Sequence, residues 1–104
     1  MKIFLAGHKG LVGSAILRKL KQKNFKNIIT ADRKKLDLLD QKKVCEFLSR
    51  YKPDIVIIAA AKVGGVLNNY TYGADFIYEN LQIQNNLIHG SFINKVKKLI
   101  FLGS

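Results

Sequence analysis

Glycine stands at every third position of Gly7-His8-Lys9-Gly10-Leu11-Val12-Gly13, directly after the apolar run Ile3 to Ala6. Between a strand and a helix, this spacing suits the pyrophosphate of a dinucleotide. Gly7 permits a tight turn, Gly10 lets backbone approach the phosphates, and Gly13 lets the helix pack close to the strand. The helix N-terminus then offers unpaired amides and the positive end of its dipole to an anion. A second group, Asp32-Arg33-Lys34-Lys35, follows about 20 positions on. An acidic residue there holds the adenosine ribose hydroxyls of NAD, whereas an arginine accommodates the 2′-phosphate of NADP. Both types occur side by side, and Arg33 with two following lysines points to NADP(H). Asp37-Leu38 is placed to meet an adenine, Asp37 accepting from its exocyclic amine. Ala59-Ala60-Ala61 ends a later apolar run with side chains small enough for a ligand to lie against backbone. Alanines packed closely beneath a helix explain the same stretch equally well.

The elements that must position these groups are legible in the hydrophobic period. Lys2 to Ala6 reads as a buried strand ending at glycine. Leu11 to Lys23 carries Leu11, Val12, Ala15, Ile16 and Leu20 on one face and basic residues on the other, a helix that Asn24 stops. Ile28 to Ala31 is a second strand. Asp40 caps a helix whose buried stripe is Val44, Phe47, Leu48 and Tyr51, and Pro53 closes it. Asp54 to Ala59 is the third strand. Residues 64–71 are expected to be irregular, with a long helix from about Tyr72 that turns Ala74, Ile77, Leu81, Ile88 and Phe92 inward. Leu99 to Leu102 is a fourth strand. The alternation predicts the α/β class, a Rossmann-like parallel sheet with helices on both faces. Right-handed crossovers make the expected strand order 3-2-1-4.

Composition narrows the function. The chain has 104 residues with 48% hydrophobic content, which suits one folded domain and excludes disorder. A lone Cys45 excludes a disulfide framework and cannot by itself make a zinc site, so no metal is expected. The longest apolar run, Ile55 to Ala61, falls far short of the roughly 20 residues that span a bilayer. Only six residues precede the first glycine, too few for a secretory segment, so a cytoplasmic protein without membrane contact is the expectation. Eighteen basic against seven acidic side chains give a net charge of +11, the footprint of a nucleic-acid binder. The lysines are scattered, though, and no aromatic RNA-binding motif or Cys/His spacing accompanies them. A solvated basic surface is the simpler reading, and nucleic acid is not expected as a partner.

The chain resembles the GDP-L-fucose synthase family, within the extended short-chain dehydrogenase/reductases. The resemblance is carried by Ala6 to Ile16, by Leu36-Asp37-Leu38-Leu39-Asp40, by Ala59-Ala60-Ala61-Lys62-Val63-Gly64-Gly65, by Ala74 to Leu81, and by Phe101-Leu102-Gly103-Ser104. It spans nearly all 104 residues. It implies an N-terminal NADP(H)-binding part over 1–104, truncated, with the catalytic Tyr/Lys segment and the substrate domain absent. It implies a GDP-sugar substrate and a homodimer at full length. The family's reaction is 3,5-epimerisation of GDP-4-keto-6-deoxy-D-mannose and NADPH reduction of the 4-keto group, giving GDP-L-fucose. By the resemblance, Gly7 to Gly13 match the pyrophosphate loop, with Lys9 where relatives often have arginine. Arg33 matches the arginine near the 2′-phosphate, while Asp32 departs from the small or neutral residue expected there. Ser104 matches a catalytic-region serine that hydrogen-bonds near the substrate keto group, and Asn80 an asparagine supporting the active site. His8 belongs to the cofactor loop without an acid/base role, and Cys45 does not match the family's active-site cysteine. The family's Tyr-x-x-x-Lys pair is missing, since Tyr51, Tyr70, Tyr72 and Tyr78 are followed four places on by Ile55, Ala74, Phe76 and Gln82. The 104 residues alone are therefore not expected to turn over. A non-catalytic NADP-binding module and another nucleotide-sugar epimerase or reductase remain the alternatives.

Overall fold

The computed structural model describes residues 1–60 and 66–102, with side chains for all of these outside 66–77. Four strands and three helices alternate: β1 Ile3–Ala6, α1 Leu11–Gln22, β2 Ile28–Ile29, α2 Gln41–Tyr51, β3 Ile55–Ile58, α3 Val66–Ile93 and β4 Lys98–Phe101. All strand pairs are parallel. The expected class is therefore observed.

The strand order is not the expected one. It is β2-β1-β3-β4, so the third strand pairs with the first and not with the second. Burial explains the choice. In the 3-2-1-4 order Ile55-Val56-Ile57-Ile58 would form an edge, yet Val56, Ile57 and Ile58 are buried and need neighbours on both sides. The two-residue β2, only half-buried, is suited to an edge. From β2 the chain folds through turns over Asp32–Asp40 and crosses beyond β1 by way of α2.

Side chains alternate across the sheet. Ile3, Leu5 and Ile57 face α1 and pack on Ile16, Leu17 and Leu20. Phe4, Val56 and Ile58 face the opposite layer, where Val44, Phe47 and Leu48 of α2 meet Ile83 and Leu87 of α3. Helices thus cover both faces of the central strands β1 and β3, which are buried on both sides as a parallel sheet requires, while β2 is half-buried and β4 largely exposed. The α2 stripe is the one its periodicity predicted. Asp40 caps α2 by accepting from the Lys43 N–H at 3.1 Å, and Lys52 ends it in a left-handed conformation. Asn24 ends α1 in the same way, at φ 65.

The long helix differs from expectation in two respects. It begins at Val66, so residues 66–71 are helical. Its inner face carries Ile83, Asn86, Leu87, Gly90 and Ser91, while Leu81, Ile88 and Phe92 are exposed. Ala74 and Ile77 lie outside the described side chains. Apolar residues occur on both sides of α3, and a buried, hydrogen-bonded Asn86 with small Gly90 and Ser91 allows close approach to α2. Among the described residues, no helix is long and apolar enough to cross a membrane.

Candidate functional site

The strand ends set the site. β1 stops at Ala6, and Gly7 turns the chain at φ +90, a left-handed conformation that side chains rarely adopt. A Cβ there would lie 2.6 Å from the Ala60 backbone, at the end of neighbouring β3. Gly13 is equally constrained: its Cβ would sit 1.8 Å from the Gly7 carbonyl oxygen, so α1 rests directly on the loop. Gly10 differs from both. A Cβ at that position meets nothing nearer than 3.7 Å, and its φ of −73 suits any residue. Among the described residues, nothing demands glycine at position 10.

Gly10 is also the N-cap of α1 and supplies no side-chain cap. Its N–H bonds the Gly7 carbonyl at 3.2 Å, and the first closed helical bond runs from Ser14 N–H to Gly10 O at 2.8 Å. The N–H groups of Leu11, Val12 and Gly13 therefore have no backbone partner among the described residues. Leu11 and Val12 are exposed at this terminus, and no acidic residue occupies the first turn. Unpaired amides at a helix start, with no acidic side chain in its first turn, suit an anion.

Beside the loop opens a cleft of about 310 Å³. Of the residues singled out in the sequence, Gly7, His8, Lys9, Gly10, Arg33, Asp37, Leu38, Ala59 and Ala60 line it together. Leu11, Val12 and Gly13 stand at the helix start and not in the cleft wall. Ala61 and Ser104 lie outside the described residues. Sequence reasoning missed Ala31, Leu36, Leu39 and Ile83 as wall residues. Leu36 and Leu39 flank Asp37-Leu38 and could have been read from it. Ile83 carried a weaker signal, its i, i+4 relation to Leu87.

The rim is charged. Asp32 follows β2 and lines the cleft, its Oδ1 accepting from the Lys35 N–H at 2.9 Å. Its Oδ2 lies 3.9 Å from Lys9 Nζ. The Lys35 N–H above all, and Lys9 more weakly, hold the Asp32 carboxyl below the usual aspartate range, against partial desolvation. Arg33 is exposed and makes no ion pair among the described residues. Lys35 parts company with it and turns to α2, with Nζ 5.2 Å from the Tyr51 ring centroid. Asp37 accepts from the Leu39 N–H at 3.0 Å, which shapes the turn. Asn86 of α3, nearly fully buried, straps this turn from behind by donating to the Leu38 carbonyl at 2.8 Å. Gln82 in turn donates to Asn86 Oδ1 at 3.0 Å. Ala59 and Ala60 serve both readings given above, since they line the cleft and pack against the two layers. Among the described residues no group of three or more His, Cys, Asp or Glu could hold a metal ion.

A parallel sheet with covered faces and a glycine turn between β1 and α1 defines a Rossmann-like α/β protein. The profile of the NAD dependent epimerase/dehydratase family matches residues 3–104, and the chain belongs to that family. It is 57% identical over 103 residues to GDP-L-fucose synthase 1 of Arabidopsis thaliana, covering 99% of this chain and 32% of that protein. A solved structure named DdhaC superposes with a TM-score of 0.96 at 56% identity, covering 99% of this chain and 30% of the other. The NADP-bound GDP-mannoheptose C4 reductase of Campylobacter jejuni follows at 0.92 and 47%, covering 98% of this chain and 30% of that one. The resemblance read from the residues is thus borne out. The chain spans about a third of the length of these relatives.

Proposed function

We propose that these residues form the NADP(H)-binding part of a GDP-L-fucose synthase. The observation that carries the reading is Gly10. Among the described residues nothing requires glycine there, while the Leu11, Val12 and Gly13 amides, without backbone partners among those residues, stand where a phosphate would bind. The pyrophosphate lies against Gly10 and these amides. The adenosine ribose reaches the end of β2, where Arg33 takes the 2′-phosphate, and the adenine lies against Leu38 and Asp37. Ala59 and Ala60 leave room beyond the third strand for the nicotinamide half, and we assign Ala61 to the same wall by its place in the sequence. Bound NADPH supplies the hydride for reduction of the 4-keto group of GDP-4-keto-6-deoxy-D-mannose. We assign Ser104 a hydrogen bond near that keto group, by its match to the family's serine. The 104 residues hold no Tyr-x-x-x-Lys pair, so we assign them cofactor binding and not proton donation.

A second reading has support of its own. The chain is 47% identical to a GDP-mannoheptose C4 reductase, against 57% to GDP-L-fucose synthase 1 of Arabidopsis thaliana. The cleft described here serves the cofactor and carries no sugar specificity, so another GDP-sugar reductase fits equally. We also infer a homodimer through α3, whose exposed face carries Tyr78, Leu81, Ile88 and Phe92 at 3- and 4-residue spacing, Asn85 completing the row.

Titration of the protein with NADPH and NADH tests the cofactor reading. A charge-assisted contact is worth roughly 1.5–3 kcal/mol, so Arg33→Ala costs NADPH about tenfold or more and NADH little. Equal losses for both sink the assignment.

A further inference from the structure

We propose that Lys9 and Asp32 form a coupled specificity pair, in which Lys9 cancels a fixed negative charge that otherwise selects against a 2′-phosphate. The inference rests on the NADP(H) reading above and concerns what sets the preference. Asp32 is fixed twice over. Its side chain accepts the Lys35 N–H at 2.9 Å, and its carbonyl accepts from the Lys35 and Leu36 N–H groups at 3.1 and 2.9 Å. The carboxylate therefore cannot leave the cleft wall without breaking the turn. Its pKa is held low, so the charge is present throughout the neutral range.

One lysine pairs with this anion, and Arg33 lines the same cleft without an ion pair among the described residues. Lys9 reaches it across the loop, 3.9 Å from Oδ2, and Arg33 is its neighbour in sequence. While Lys9 neutralises Asp32, Arg33 is left as the uncancelled charge. Without Lys9, the Asp32 charge stands uncancelled in the cleft that Arg33 also lines, and a phosphate there meets it. A phosphate monoester carries roughly −1.5 to −2 at neutral pH and responds strongly to that sum. The 2′-hydroxyl of NADH carries no charge, and a freed Oδ2 can accept its proton in a hydrogen bond. Lys35 is no substitute for Lys9, because its ammonium lies over Tyr51 and Phe47. Lys9 thus shifts the choice of cofactor through Asp32, with or without touching the phosphate.

The test is a double-mutant cycle on the protein, read as the ratio of NADPH to NADH affinity from the fluorescence of the reduced nicotinamide. Each ratio comes from one protein, so a partial loss of folding cancels. Exposed pairs are individually weak, but the phosphate doubles the charge involved. Lys9→Ala should lower the ratio about five- to tenfold, and Asp32→Asn should raise it similarly. In the Asp32→Asn background, Lys9→Ala should change the ratio less than about twofold. An equal loss in both backgrounds makes Lys9 a direct phosphate ligand and overturns the coupling. So does an unchanged ratio in Lys9→Ala alone. Wild-type protein that binds neither cofactor refutes the cofactor reading itself, an outcome distinct from the other two.

Discussion

Alanine at each of the three loop glycines separates what the fold needs from what the ligand needs. At Gly7 the φ of +90 is left-handed, and the new Cβ would lie 2.6 Å from Ala60 backbone atoms. The left-handed conformation costs about 1–2 kcal/mol and overpacking about 1–3 more, roughly 2–5 kcal/mol in all. At Gly13 alanine gains about 1 kcal/mol of helix propensity. Against this stands a contact of 1.8 Å with the Gly7 carbonyl, which is backbone and cannot swing aside. Relief requires α1 to lift, pulling Ile16, Leu17 and Leu20 from Ile3, Leu5 and Ile57. That loss exceeds the propensity gain, because each such side chain contributes about 1.5–3 kcal/mol when fully buried. Gly10→Ala meets no neighbour and changes stability by about 1 kcal/mol or less, the cost of a poorer N-cap. Under the pyrophosphate placement proposed above, its methyl group stands where the phosphate meets Gly10. The expected outcome is a melting point lowered by about 10 °C or more at positions 7 and 13 and nearly unchanged at 10. NADPH affinity should fall about tenfold or more in Gly10→Ala, the weight of one lost charge-assisted hydrogen bond. Thermal melts and NADPH titrations measure the two effects separately. Full NADPH affinity in Gly10→Ala would refute the pyrophosphate placement. A Gly13→Ala protein melting as late as Gly10→Ala would refute the packing argument.

Asn86→Leu should lower stability by about 1–3 kcal/mol, since the Leu38 carbonyl and the Gln82 amide both lose their partner. Because that bond fixes the turn behind Asp37-Leu38, NADPH affinity should fall as well, and a melt paired with a titration reads both. Asp54 predicts the acid limb: its Oδ2 accepts the Lys2 N–H at 2.8 Å, which chiefly holds its pKa low, with Lys97 adding to it. A depressed folded-state pKa stabilises above the ordinary aspartate value of about 3.9, and the gain is lost as pH falls through the lower folded value. Asp54→Asn should therefore destabilise near pH 6 and converge with wild type once the pH falls below the depressed folded-state value. A gap that persists at the lowest pH would mean that packing, not the carboxylate charge, is at stake.

The parts of this protein that could be read from sequence are those where one local pattern has one structural solution. The α2 stripe Val44, Phe47, Leu48 and Tyr51 has a cap before it and a proline after it, and it buries the face its period predicts. The glycine spacing constrains backbone directly, and the structure gives physical reasons for Gly7 and Gly13 that periodicity alone could not supply. The strand order was not local. It depended on which strand buries both faces, and thus on comparing Ile55–Ile58 with the two-residue β2. The α3 face failed for a related reason: Leu81, Ile88 and Phe92 make as good a helical stripe as Ile83, Leu87 and Gly90. Hydrophobicity could not decide between them, because the buried stripe contains Asn86 and Ser91, and Asn86 is tolerated only through its bonds to Leu38 and Gln82. An apolar stripe left outside and a paired polar residue taken inside give α3 one packed face and one exposed apolar face. One holds the cofactor cleft in shape through Asn86 and Ile83. The other, with Tyr78 and Phe92 still exposed, is where a second copy of the chain should pack if the dimer forms as proposed.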